Sequence, residues 1–110
     1  MTIGMLHPGA MGASIGAVLR QKGVDTRWVD ADRSPDSRRR AEDADLTAVE
    51  SIDELAATCD VIISVCPPAA ALAVAGAVAE CGYDGCFLDA NAVAPATARQ
   101  IGDVVAAGGA

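Results

Sequence analysis

The sequence predicts an α/β domain, a doubly wound parallel sheet of about five strands with helices on both faces. Three observations carry that expectation. Short apolar runs alternate with amphipathic stretches along the whole chain, joined by brief connections. The apolar fraction is 52% while aromatics supply only 3%, so the core must be built from Ala, Val, Ile and Leu, the composition of a parallel sheet covered by helices. The first apolar run also passes through a glycine turn directly into a helix-period pattern.

Taken in order, Thr2-Ile3-Gly4-Met5-Leu6 reads as a buried strand. His7-Pro8-Gly9-Ala10-Met11-Gly12 is the turn. Beyond it Met11, Ile15, Val18 and Leu19 share one face of a helix expected over 10–22, with Gly23 as its C-cap. Thr26-Arg27-Trp28-Val29 is the second strand and ends at Asp30. Ser34 caps and Pro35 opens the next helix. Thr47-Ala48-Val49 is a short third strand, and Ser51-Ile52-Asp53-Glu54 is a capping box for a helix reaching Thr58. The fourth strand is expected over 61–66, stopped by Pro67-Pro68, with an alanine-rich helix over 69–80. A fifth strand is expected over 85–89. Pro95 opens a last helix with Ile101, Val104 and Val105 on its apolar face, closed by Gly108-Gly109.

Right-handed crossovers between such elements give one parallel sheet. Its ligand crevice lies at the carboxyl ends of the strands, where the strand order reverses. Residues just after strands one, two, four and five are therefore expected to line it.

The totals narrow the function classes. A chain of 110 residues holds one domain. Eight basic against fifteen acidic residues give a net charge of −7, which argues against a nucleic-acid partner or an anionic membrane surface. Arg38-Arg39-Arg40, with Arg33 upstream, is a local basic patch in this acidic protein. No signal peptide or membrane span is legible. The four cysteines lack C-x-x-C spacing and there is one histidine, so no metal site is expected. Cys66 and Cys86 lie in apolar runs and are expected to be buried thiols in a reduced, cytoplasmic chain. The chain stops at Gly108-Gly109-Ala110, where a sixth strand would begin, so a truncated domain is expected, with a small complete domain as the alternative.

The chemistry concentrates in the turn. A strand, a glycine turn and a helix N-terminus gather unpaired backbone N–H groups and the positive end of a helix dipole, a seat for a phosphate. The dinucleotide fingerprint is Gly-x-Gly-x-x-Gly; His7 stands at its first glycine, while Gly9 and Gly12 keep the second and third. Pro8 stiffens the turn. His7 contacts phosphate or is structural, because a proton-transfer group belongs at the nicotinamide end. Asp30 follows Gly12 near the roughly 20-residue spacing at which a carboxylate meets a ribose 2′-OH, which favours NAD. Arg33 with Ser34 at a helix N-terminus, and Arg38 within reach, suit a 2′-phosphate and favour NADP. Arg39 and Arg40 read as a solvated helix face. Cys66 and Pro67 fall where the backbone passes the cofactor ribose, or merely end the strand. Asn91 follows the fifth strand and offers donor and acceptor groups to nicotinamide or substrate, or shapes the turn. No Ser/His/Asp set and no paired acids are present, so any chemistry is the cofactor's hydride transfer.

The three motifs at 3–12, 65–68 and 89–95 together resemble the N-terminal, Rossmann-type domain of the β-hydroxyacid dehydrogenases. That family includes the 6-phosphogluconate and 3-hydroxyisobutyrate dehydrogenases and the related imine reductases. The His-Pro-Gly turn with Asp32-Arg33-Ser34 is most similar to a phosphogluconate-dehydrogenase-like branch. The resemblance implies that Gly9, Ala10, Met11 and Gly12 hold pyrophosphate. It implies that Arg33 and Ser34 match the Asn-Arg-Ser/Thr segment of NADP enzymes, with Asp32 in place of the asparagine. Pro67 matches the proline after strand four, and Asn91 stands where the family often has serine. The family's catalytic lysine and its helical C-terminal domain lie beyond this segment, and Lys22 is no substitute for that lysine. No catalytic residue is therefore expected in this chain.

The expectation is an NAD(P)-binding domain, with NADP slightly favoured over NAD. It belongs to an oxidoreductase moving hydride between the nicotinamide and a small hydroxyacid or imine, homodimeric at full length and inactive as this chain alone. The alternative is a stand-alone nucleotide-binding or sensing module. A pyrroline-carboxylate or prephenate type of reductase is a third reading, against which the 89–95 motif tells.

Overall fold

Each apolar run that the sequence marks as a strand joins one parallel sheet. The computed structural model describes residues 1–6, 10–29, 35–65, 68–90 and 95–110. Its strands are β1 (Thr2–Leu6), β2 (Asp25–Val29), β3 (Thr47–Val49), β4 (Val61–Ser64) and β5 (Cys86–Asp89). Its helices are α1 (Ala10–Gln21), α2 (Pro35–Asp43), α3 (Ile52–Thr58), α4 (Ala71–Glu80) and α5 (Pro95–Ala107). The sheet order is β3-β2-β1-β4-β5, so the chain walks outward from β1 and then crosses back to the other side of it. All four strand pairings are parallel.

Strand parity divides the core into two layers. Ile3 and Met5 of β1, with Ile63 of β4, pack under Ile15 and Leu19 of α1. Trp28 continues that face against Ala41 of α2 and Ala17 of α1. On the opposite face Leu6 and Ile62 meet Leu55 of α3 and Val74 and Val78 of α4. Phe87 of β5 joins this second layer and also packs against the cluster of Ala71, Ala75, Ile101 and Val105 between α4 and α5.

The helix ends follow their local chemistry. Gly23 takes φ +79 just beyond α1, the left-handed position that a glycine C-cap occupies without strain. At α3, Ser51 Oγ accepts the Glu54 N–H at 3.1 Å, the first half of the predicted capping box. The Glu54 carboxylate reaches back one residue further than the motif expects, accepting the Glu50 N–H at 3.0 Å. Pro68 starts a 3₁₀ turn, Pro68–Ala70, and the α-helix proper begins at Ala71, two residues later than the sequence suggested. The fourth strand stops at Ser64, ahead of Val65.

Helices lie over both faces of the sheet, and the exposed side of its last strand is where one expectation is corrected. β5 is an edge strand whose residues alternate, Phe87 and Asp89 turning to the α4 and α5 side while Cys86 and Leu88 turn to the α1 side. Nothing described covers that side of β5. Cys86 is therefore exposed, and Leu88 is 50% exposed, which corrects the expectation of a buried Cys86 thiol. Among the described residues Cys59, which ends α3, is the buried cysteine, and burial pushes its thiol pKa up. Cys66 lies outside the described residues.

Two contacts fix the geometry of the sheet. Gly4, in the centre of β1, faces Leu55; a Cβ there would lie 2.8 Å from Leu55 Cγ, and Leu55 is fully buried. The absent side chain lets α3 press onto the central strand. At the amino edge Asp60 binds both neighbours: its carboxylate accepts the Thr2 N–H at 2.8 Å and its carbonyl accepts the Cys86 N–H at 3.1 Å. Tyr83 closes this edge, 3% exposed, its hydroxyl donating to the Cys86 carbonyl at 3.3 Å.

Gly4→Ala is expected to lower the unfolding free energy by about 1–3 kcal/mol, the usual cost of overpacking a filled core. Urea denaturation measures it. Burial raises the Tyr83 pKa from 10.0 to about 12. The neutral phenol is the form that the fold favours, so this contribution is complete below pH 10 and is lost as pH rises toward 12. Tyr83 is the sole tyrosine, so ultraviolet titration reads it directly: ionisation is expected near pH 12 in the folded protein and near 10 in urea.

Candidate cofactor site

Because every strand runs the same way, the carboxyl ends of β1, β2, β4 and β5 lie along one edge, and α1, α2, α4 and α5 begin there. The strand order reverses between β1 and β4, which makes that junction the switch point of the sheet. In open α/β sheets the ligand crevice forms outside the carboxyl ends of the strands at such a point.

Most of the candidate residues sit in the connections that leave this edge. Ala10, Met11 and Gly12 form the first turn of α1, directly after the end of β1 at Leu6. His7, Pro8 and Gly9 lie outside the described residues, as do Asp30, Arg33 and Ser34 after β2. Cys66 and Pro67 after β4, and Asn91 after β5, also lie outside them. What is described is the frame: the strand ends and the helix starts that flank each of these segments. Arg38 and Arg39 stand on exposed positions of α2, and Arg39 lies 4.0 Å from Asp36 one turn earlier. Arg38 takes part in a polar interaction of its own.

The charges along the frame are unevenly placed. The first turns of α1 and α4, the helices that follow the two switch-point strands, contain no acidic residue, nor does that of α5 beyond β5. The first turn of α2, as near the switch point as that of α5, carries Asp36, and that of α3, further out, carries Asp53 and Glu54. α3 also has its N-terminus occupied by Ser51, whereas α4 has Ala70 at its cap and no side-chain hydrogen bond there. In a protein of net charge −7 the two helices that follow the switch-point strands, α1 and α4, therefore keep their positive dipole ends free of carboxylates. An anion fits such a frame.

Ser64 was not singled out by the sequence. It ends β4 and is 1% exposed, one of two buried polar residues among those described. In register it stands between Leu6 of β1 and Asp89 of β5, at the switch point itself. Its carbonyl accepts the Ala90 N–H at 3.0 Å, carrying the ladder one step past β5. The signal for it was present in the sequence: a lone hydroxyl closing the most apolar strand. Among the described residues no group of three His, Cys, Asp or Glu side chains is placed to hold a metal ion, and no helix is long and apolar enough to cross a membrane.

Comparison with known proteins agrees with this frame. A family model described as the NAD binding domain of 6-phosphogluconate dehydrogenase matches residues 2–110. No curated protein matches the sequence. Among solved structures, the conserved protein MTH1747, of unknown function and structurally similar to 3-hydroxyacid dehydrogenases, is 26% identical with a TM-score of 0.86. That match covers 96% of this chain and 40% of MTH1747. The 3-hydroxyisobutyrate dehydrogenase of Mycobacterium tuberculosis, solved with L-serine, is 24% identical with a TM-score of 0.86, over 98% of this chain and 37% of that one. The prephenate dehydrogenase of A. aeolicus shares the fold at 18% identity and a TM-score of 0.77, over 96% of this chain and 38% of its own. The chain thus spans about 40% of the length of these solved relatives.

Ser64→Ala removes a polar group from a buried position where it has a partner, so a loss of about 0.5–1.5 kcal/mol is expected in urea unfolding. An unchanged midpoint would show that the hydroxyl contributes nothing to the fold.

Proposed function

The chain belongs to the family of the NAD-binding domain of 6-phosphogluconate dehydrogenase, and from that premise we propose that it is the cofactor half of an NAD(P)-dependent oxidoreductase. The observation that carries the proposal is the pair of carboxylate-free helix starts, those of α1 and α4, at the β1–β4 switch point. Gly9, Ala10, Met11 and Gly12 hold the pyrophosphate at the α1 N-terminus. The adenosine end lies over β2, where Asp30, Arg33 and Ser34 follow the strand. The nicotinamide end lies over β4 and β5, with Cys66, Pro67 and Asn91 beside it.

Once bound, the nicotinamide supplies the chemistry, a hydride exchanged with the carbon of a small hydroxyacid or imine. The chain's own part is to bind and orient. Its single lysine, Lys22, lies in the turn beyond the C-terminus of α1, away from the carboxyl edge, so no proton-transfer lysine serves the site from within this segment. The isolated chain accordingly binds dinucleotide without turning over substrate. The relatives' greater length agrees with a catalytic half supplied elsewhere.

NADP is the favoured cofactor, through Arg33. Calorimetric titration with NADP and NAD tests this: Arg33→Ala is expected to weaken NADP about ten- to a hundredfold, the worth of a charge-assisted hydrogen bond, and to leave NAD nearly unchanged. Preference for NAD, lost in Asp30→Ala, would reverse the cofactor assignment. Binding of neither by the folded chain would contradict the proposal.

A further inference from the structure

On the β4–β5 side of the switch point the described strand ends and helix starts have one exception to their lack of negative charge. Among the described residues of β1, β4 and β5 and the first turns of α1, α4 and α5, Asp89 alone carries a carboxylate at the carboxyl edge. It ends β5 and is half-buried, on the same face as Phe87 and beside buried Ser64, its register partner. Ser64 and Asp89 each take part in a polar interaction, and the Ala90 N–H bonded to the Ser64 carbonyl ties the backbone between them.

A negative charge at this edge is unfavourable beside a phosphate. Asp89 is not beside the phosphate seat: β5 lies two strands from β1, about 10 Å away at ordinary strand spacing. A dinucleotide with its pyrophosphate at α1 and its adenosine toward β2 extends its other ring in that direction. That ring is cationic when oxidised and neutral when reduced. A carboxylate near the ring distinguishes the two.

We propose that Asp89 is a specificity-determining residue of the nicotinamide half of the crevice, its carboxylate favouring the oxidised cofactor over the reduced one. The inference rests on the dinucleotide reading above and adds which redox state the domain prefers. A residue that only shaped the turn into α5 would alter both affinities alike.

The test titrates the wild-type chain, Asp89→Asn and Asp89→Ser with the oxidised dinucleotide, the reduced dinucleotide and ADP-ribose, with thermal melting of each protein alongside. In the neutral variants the oxidised form is expected to weaken about three- to tenfold relative to the reduced form, the worth of one unit charge several ångströms away in a partly solvated site. ADP-ribose, which lacks the ring, is expected to bind all three proteins equally. An unchanged ratio of oxidised to reduced affinity in a folded variant would overturn the proposal, as would two variants that fail to fold, which would assign Asp89 to the structure. A folded wild-type chain that binds neither dinucleotide nor ADP-ribose would overturn the dinucleotide reading itself, and this inference with it.

Discussion

The parallel pairing of β1 with β4 is the constraint on which the rest of the structure depends. The two strands are far apart in sequence, yet their register, Ile3 with Val61 through Leu6 with Ser64, makes β1 the centre of the sheet. That pairing sends β2 and β3 to one side and β5 to the other, and so creates the switch point. It holds only if a helix can close over the middle of β1. Gly4 meets that need by presenting no side chain to Leu55, and Asp60 secures the junction from below by binding Thr2 and Cys86 together.

The two edges of the sheet differ in how their polar groups are satisfied. At the amino edge the groups find one another: Arg27 with Asp25 at 2.9 Å, Asp60 with the start of β1, Tyr83 with the Cys86 carbonyl. The Arg27 guanidinium holds the Asp25 carboxyl below its usual range. At the carboxyl edge the helix starts beside β1, β4 and β5 have no acidic residue to offset their dipoles. The asymmetry is electrostatic before it is anything to do with shape.

Much of this was legible in the sequence because the signals were local. The first strand, the short third strand and the helix after Ser51 fall where period, proline and capping box place them. The glycine turn declares itself by the strand before it and the helix after it. What was not legible depends on contacts between distant residues. Nothing local in the run around Cys86 says that it becomes an edge strand with one bare side, so its thiol was expected to be buried. The need for Gly4 is invisible without Leu55 opposite it. Asp89 was legible as part of a motif, but its isolation among carboxylate-free helix starts emerges only when three separated segments meet at one rim. The expectations at His7, Pro8, Gly9, Asp30, Arg33, Ser34, Cys66, Pro67 and Asn91 remain expectations about connections that the described frame flanks.

The central claim is one of place: that a dinucleotide lies across the carboxyl edge, over the β1–β4 junction. Amide chemical-shift mapping during titration with a dinucleotide tests it most directly, since backbone signals report every segment at once. The account predicts that the largest shifts fall at Leu6, Ala10 to Gly12, Val29, Ser64, Val65 and Ala90, with Asp60 and Gly82 to Gly85 at the opposite edge unmoved. Shifts centred on the amino edge, or on the bare side of β5 at Cys86 and Leu88, would contradict it.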